Sequence, residues 1–206
     1  SMLKNGDGIK TNKKEALKYY KLLADKGNIR SMILYSELLI DIGNEDDKIE
    51  ALRYIKMAAD KGSVDSMYFY GDFLLNISDE NKTEALHYLK MAADNGNESS
   101  MIRYATELFN SNYTTNKEEA LYYFKKAADR NNTDAMLLYG QCINIFNKNK
   151  NVGNKYIKIS ADKGNANALL AYGIILFTGD GVLTDKREAA KYFKMSSEKG
   201  NNDANY

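Results

Sequence analysis

The chain has 206 residues, with no proline, no tryptophan, 44% hydrophobic and 28% charged residues. That composition fits a helical protein and argues against a β-rich one, which spends proline and glycine on turns. The 29 basic and 28 acidic residues cancel to a net charge of +1, which excludes a global attraction to nucleic acid or to an anionic membrane surface.

The first segment with helical periodicity runs from Glu15 to Gly27. Ala16, Tyr20, Leu23 and Ala24 fall at i, i+4, i+7 and i+8, one face of an α-helix, here termed helix B. Gly27 stands where a left-handed C-terminal cap is expected, and Asn28 follows as the N-cap of the next helix. Helix A then begins at Ser31, with Met32, Tyr35, Ser36 and Leu39 on one face, and a loop containing Glu45, Asp46 and Asp47 leads to a second helix B at Glu50.

This unit recurs along the chain. Further copies of helix B end at Gly62, Gly96, Asn131, Gly164 and Gly200, at spacings of 35, 34, 35, 33 and 36 residues. Helix A recurs at Ser66, Ser100, Ala135 and Ala168. From Glu15, Glu50, Glu84, Glu119 and Val152 to the following helix A tyrosine is always 20 residues, so the step between repeats is fixed and the A-to-B loop absorbs the length differences. At the position of Ser36 the later copies carry Gly71, Ala105, Gly140 and Gly173. Glycine costs about 1 kcal/mol relative to alanine inside a helix, so its use here predicts a close approach of the partner helix. A period in this range predicts an all-α fold, an α/α solenoid of stacked helix-turn-helix repeats in which each pair buries the apolar face of its neighbour.

Few residues suggest chemistry. His87, the one histidine, shares its helix B column with Lys18, Arg53, Tyr122, Lys155 and Lys191, which reads as a solvent-facing row. Cys142 has no histidine in its repeat and reads as a small buried hydrophobe. As a lone cysteine it excludes an internal disulfide framework and suits a reducing, cytoplasmic compartment. The Glu45-Asp46-Asp47 run lacks the alternating oxygen ligands of a calcium loop and reads as solvated loop. Sequons beginning at Asn76, Asn81, Asn97, Asn112 and Asn131 are what chance provides in a chain rich in Asn, Ser and Thr. The longest apolar run, Ala168 to Phe177, is about half a membrane span.

Two tyrosine columns, one per helix, account for eleven of the sixteen tyrosines and read as packing: Tyr19, Tyr54, Tyr88, Tyr123, Tyr156 and Tyr192 in helix B, and Tyr35, Tyr70, Tyr104, Tyr139 and Tyr172 in helix A. A lysine column, Lys21, Lys56, Lys90, Lys125, Lys158 and Lys194, is followed four residues on by an acid each time, which predicts a solvated ridge of i,i+4 pairs.

The pattern resembles the Sel1-like repeat, a relative of the tetratricopeptide repeat. The residues that carry the likeness are clearest in Ala168, Tyr172-Gly173, Gly179-Asp180-Gly181-Val182, Glu188-Ala189 and Tyr192, with Gly6-Asp7-Gly8-Ile9 repeating the loop at the other end. The middle copies lack that loop. The resemblance implies a right-handed superhelix whose concave groove is lined by helix A. It also admits the lumen of the endoplasmic reticulum as a second compartment. Because the array begins and ends within a repeat, a piece of a longer protein is expected.

Carried onto this chain, the groove selects three rows of helix A and the aromatic positions one turn beyond. The candidate partner-binding residues are Arg30, Ile33, Glu37, Asp65, Tyr68, Asp72, Ile102, Thr106, Phe109, Leu137, Gln141, Ile174 and Phe177. The apolar row through Ile33, Tyr68, Ile102 and Leu137 is open between packing and binding. The expectation is a non-catalytic scaffold or adaptor without cofactor or metal, holding protein or peptide segments that combine apolar side chains with Lys or Arg. The alternative is a regulatory or targeting segment of a larger enzyme, such as a kinase or ubiquitin-ligase assembly.

Overall fold

The structure, a computed structural model, describes residues 13–111, 114–146 and 150–201. Eleven α-helices occupy them: α1 Lys13–Asp25, α2 Ile29–Ile42, α3 Glu45–Asp60, α4 Val64–Ile77, α5 Lys82–Asp94, α6 Glu98–Phe109, α7 Thr114–Ala128, α8 Thr133–Phe146, α9 Lys150–Asp162, α10 Ala166–Thr178 and α11 Lys186–Glu198. A single 3-10 turn, Asp79–Asn81, precedes α5, and no strand occurs among the described residues. Even-numbered helices are copies of helix A and odd-numbered ones copies of helix B. Two compact units divide the chain, residues 1–100 and 101–206.

The joints between repeats follow from their capping residues. Gly27, Gly62, Gly96, Asn131, Gly164 and Gly200 all have positive φ, and Asn131, at 70°, is the one non-glycine residue among the described ones to do so. The left-handed turn ends helix B. The next side chain then opens helix A: Asn28 accepts from the Ser31 amide at 2.8 Å, Asn97 from Ser100 at 2.8 Å, Asn132 from Ala135 at 3.0 Å and Asn165 from Ala168 at 2.9 Å. Each cap satisfies an amide that the helix itself leaves unpaired. The Glu45-Asp46-Asp47 run is not loop. It forms the first turn of α3 behind the Asn44 cap, where carboxylates meet the positive end of the helix dipole.

Within each repeat the two helices close over small residues. Ser36 donates from Oγ to the Ala51 carbonyl at 3.0 Å, across from α2 to α3. A Cβ on Gly71 would lie 2.9 Å from the Ala85 carbonyl oxygen, and one on Gly140 would lie 2.6 Å from that of Gly153. Close approach therefore explains glycine in mid-helix. In unit 1 the core comprises a cluster around Met32, Tyr35, Leu39 and Tyr54 and another around Met67, Tyr70, Leu74 and Tyr88. In unit 2 it gathers Leu137, Ile157, Leu169, Tyr172 and Tyr192.

Candidate partner-binding surface

In unit 1 the surface of helix A belongs to α2 and α4. Arg30, Glu37 and Asp65 are exposed, whereas Ile33, Tyr68 and Asp72 are half-buried. Asp65 also serves the fold, accepting from Asn97 Nδ2 at 3.5 Å, so that the cap of one helix A touches the start of the one before.

The apolar surface here lies in residues outside the expected rows. Phe69, Phe73 and Ile77 follow one another at i, i+4 and i+8 along α4 and are 61%, 37% and 55% exposed. The Tyr68 ring leans on Phe69 with centroids 5.5 Å apart. The matching positions on α2, Leu34 and Leu38, are half-buried. A signal for these positions was present in the sequence. Leu34, Phe69, Arg103, Leu138 and Ala171 form a row whose chemistry changes from copy to copy, as do Leu38, Phe73, Glu107, Cys142 and Ile175, although in unit 2 Cys142 and Ile175 of the second row are buried.

Around this surface α2 and α4 carry four acids, Glu37, Asp41, Asp65 and Asp72, against one cation, Arg30. Asp41 also receives the Lys13 ammonium from α1 at 2.8 Å.

In unit 2 a cleft of about 550 Å³ opens along helix A of three successive repeats. Thr106, Phe109 and Asn110 come from α6, Leu138, Gln141 and Ile145 from α8, and Ala171 and Ile174 from α10. Four of the expected residues, Thr106, Phe109, Gln141 and Ile174, thus line one concavity. Ile102 is half-buried, and Phe177 is half exposed beneath the Lys186 ammonium, 5.4 Å from the ring centre.

Leu137 departs from the expectation of an exposed position. It is buried among Ile157, Leu169 and Tyr172, because this row turns inward against the next repeat. The charged groups that line or flank the cleft are paired, Lys150 with Asp180 at 2.8 Å and Arg103 with Glu107 at 3.7 Å.

The lysine column is not a simple solvated ridge. Lys21 donates to Glu50 in the next repeat and sits 5.2 and 5.3 Å from the ring centres of Tyr35 and Tyr54. Lys56 repeats this with Glu84, Tyr70 and Tyr88. The acids expected to pair four residues on instead accept from tyrosine, Asp25 from Tyr54 and Asp60 from Tyr88. In unit 2 local pairs do form, Lys125 with Asp129 at 2.7 Å and Lys158 with Asp162 at 2.6 Å.

The tyrosine columns pack as edge-to-face pairs, Tyr35 on Tyr54, Tyr70 on Tyr88, Tyr104 on Tyr123, Tyr139 on Tyr156 and Tyr172 on Tyr192. Tyr19 is the exception in its column and is 56% exposed.

Among the described residues no reactive constellation accompanies this surface. His87 is exposed, and burial pushes the Cys142 thiol up to about 12, so it is not a ready nucleophile. Among the described residues no three of His, Cys, Asp and Glu are grouped to hold a metal, and no helix is long and apolar enough to cross a membrane. The Gly6–Ile9 loop lies outside the described residues, as does the helix expected after Asn201.

Comparison with known proteins agrees with this architecture. The Sel1 repeat model matches residues 1–28, 41–63 and 64–97, and the model of plant tetratrico peptide repeats matches residues 106–205. No curated protein matches the sequence significantly.

Among solved structures, the chain is similar to c5321, a protective antigen of uropathogenic Escherichia coli displaying an SLR fold. The TM-score is 0.80 at 18% identity, covering 98% of this chain and 45% of the antigen. The chain therefore spans less than half the length of that protein. A Sel1 repeat protein from Oxalobacter formigenes aligns with TM-score 0.77 at 21% identity, over 93% of this chain and 84% of that one. The immunity protein PA5088 from Pseudomonas aeruginosa aligns with TM-score 0.58 at 15% identity, over 100% and 80%. With the Sel1 repeat model matching segments of the first half, the plant tetratrico peptide repeat model matching the second, and the helix pairs in SLR geometry, the chain is built of Sel1-like, tetratricopeptide-related repeats, a repeat fold that generally serves protein–protein interaction.

Proposed function

We propose that this chain is a non-catalytic scaffold or adaptor that holds protein segments on its helix A surface, and that unit 1 selects segments combining apolar side chains with Lys or Arg. The observation that carries this reading is the pairing of exposed Phe69, Phe73 and Ile77 with four carboxylates and a single cation on α2 and α4. An apolar stripe of that kind is normally covered by a partner, and the acid excess favours a basic one by complementarity. Acidic C-terminal peptides meet like charge there and are rejected. The single buried thiol suits a reducing compartment such as the cytoplasm.

A peptide array read at two ionic strengths tests this. Apolar-basic peptides should bind, and more weakly at high salt. Phe69→Ala should weaken them by about 2 kcal/mol, as truncation of a central aromatic anchor does, and Asp72→Ala should flatten the salt dependence. Selective capture of acidic C-termini, or binding unchanged in a Phe69→Ala/Phe73→Ala double variant, would remove the reading.

A further inference from the structure

In unit 1 each repeat is locked to the one before by a three-part clamp. A helix B lysine donates to a glutamate at the start of the next helix B, it covers the tyrosine pair between them, and the helix B tyrosine donates to the acid one turn after the lysine. Lys21, Glu50, Tyr54 and Asp25 form one such clamp, and Lys56, Glu84, Tyr88 and Asp60 form the next. At the junction of α7 with the α8–α9 pair the clamp is missing. Val152 stands at the glutamate position. Lys125 turns back on Asp129 of its own helix and occupies both its oxygens, at 3.0 and 2.7 Å. Lys158 likewise turns back on Asp162 in the next repeat, where Glu188 stands at the glutamate position. Tyr139 and Tyr156 still stack edge-to-face, 4.8 Å apart, but they are only half-buried, and neither hydroxyl has a hydrogen-bond partner among the described residues.

The structure on the far side of this junction is tightly tied. α8 and α9 cross glycine to glycine, with room for no Cβ at Gly140 or Gly153. Asn144 donates to Asn154 at 2.8 Å, Asn154 to the Asp180 carbonyl at 2.7 Å, and Asn165 of the α10 cap to Asp134 at 2.6 Å. Tyr192 donates to Asp162 at 3.1 Å. Helices α8 to α11, tied to one another by these bonds, thus meet α6–α7 at a seam that lacks both the lysine–glutamate and the tyrosine–acid arms, whereas between α9 and α11 the tyrosine–acid arm is kept. The cleft straddles that seam, with Phe109 and Phe124 on one side and Gln141, Ile145 and Ile174 on the other.

We propose that the α7/α8–α9 junction is a built-in joint, on which the α8–α11 block moves as a body so that the unit 2 cleft widens and narrows. Its use in partner binding rests on the scaffold reading, but the joint itself does not.

Hydrogen–deuterium exchange on the full chain reads the joint without any ligand. Amides of α8 should exchange faster than those of α4, the corresponding helix behind an intact clamp, and equal protection of the two overturns the proposal. Val152→Glu restores the missing carboxylate at a position already 39% exposed, and should slow exchange in α8 by about threefold, the effect of one partly exposed ion pair. Val152→Gln should not.

Spin labels at Asn110 and Asn167, in a Cys142→Ser background, report the cleft width by pulsed dipolar spectroscopy. Their distance distribution should be broader than that of a Gln141/Ala190 pair within the block, and should narrow in Val152→Glu. A distribution as narrow as the control, or one unmoved by Val152→Glu, overturns the joint. Failure of the peptide array bears only on the scaffold reading.

Discussion

Lys21 on α1 donates to Glu50 at the start of α3, 29 residues further on, and the contact holds the Lys21 ammonium well above, and the Glu50 carboxyl below, their ordinary ranges. Because Glu50 is lowered on folding, its share of stability is present above the unfolded carboxylate value and is lost as pH falls through the folded one. The lysine is raised, so its share is intact below the unfolded lysine value and fades as pH rises through the folded one. Burial raises Tyr35, Tyr70, Tyr88, Tyr139 and Tyr192, and Lys56 follows Lys21 through its bond to Glu84, so these groups act in the same alkaline direction.

The melting temperature should therefore fall on the alkaline side from about pH 10, where unfolded tyrosine and lysine begin to lose protons. Glu50→Gln should remove part of the acid slope between about pH 5 and pH 3 while costing only about 0.5–1 kcal/mol at pH 7, since both partners are partly exposed. Thermal melts at unit steps of pH check both sides. An acid limb identical in the two proteins would show that the contact contributes nothing in solution.

Gly140 supplies a sharper test of the packing. Alanine is the better helix former by about 1 kcal/mol, yet a Cβ at 140 would lie 2.6 Å from a backbone oxygen that cannot rotate away. Gly140→Ala should therefore lower stability, by about 1–3 kcal/mol as overpacking does. Lys125→Ala, on the exposed side of α7, should stay within about 0.5 kcal/mol. Chemical denaturation midpoints decide, and equal midpoints would contradict the glycine crossing.

What was legible in the sequence and what was not divides along physical lines. Gly140 announced its close contact because an unfavourable residue recurring at one column needs a compensating cause, and the caps at Gly27–Asn28 and Asn131–Asn132 announced themselves through backbone geometry that few residues tolerate. The Lys21–Glu50 bridge was not legible. A lysine and an acid at i,i+4 also satisfy the local rule, and only the placement of the next repeat decides which carboxylate is nearer. Leu137, expected on the groove, is buried, and Phe69, outside the expected rows, is exposed, for a similar reason. Both are apolar on helix A, and the side of the helix that a neighbouring repeat covers is set by the angle between repeats, which the periodicity within one helix does not encode.

Asn131 tests the capping geometry directly. It holds a left-handed conformation, φ 70°, that five glycines hold at the equivalent joints. Asn131→Gly should leave stability unchanged or slightly raise it. Asn131→Ala should lower it by about 1 kcal/mol, because a Cβ branch without a polar side chain is disfavoured there. Comparison of the two variants by calorimetry isolates the backbone effect, as neither removes the neighbouring Asn132 cap.

Cys142 turns the unclamped junction into something a simple chemical probe can follow. It is buried on α8 beside the cleft, 2% exposed, and its thiol is pushed up to about 12, so in the closed state almost none of it is thiolate at pH 8. Reaction with a disulfide reagent must then proceed through an opened form in which the thiol regains its ordinary acidity. The native protein should label far more slowly than the chain in denaturant, at a rate that scales with the population of that opened form. If the seam at Val152 governs the opening, Val152→Glu should slow labelling by about threefold at pH 8 while Lys21→Ala in unit 1 leaves it unchanged. Labelling as fast as in the denatured chain would mean that the thiol is not held in the core, whereas labelling slowed equally by any stabilising substitution would trace it to global unfolding.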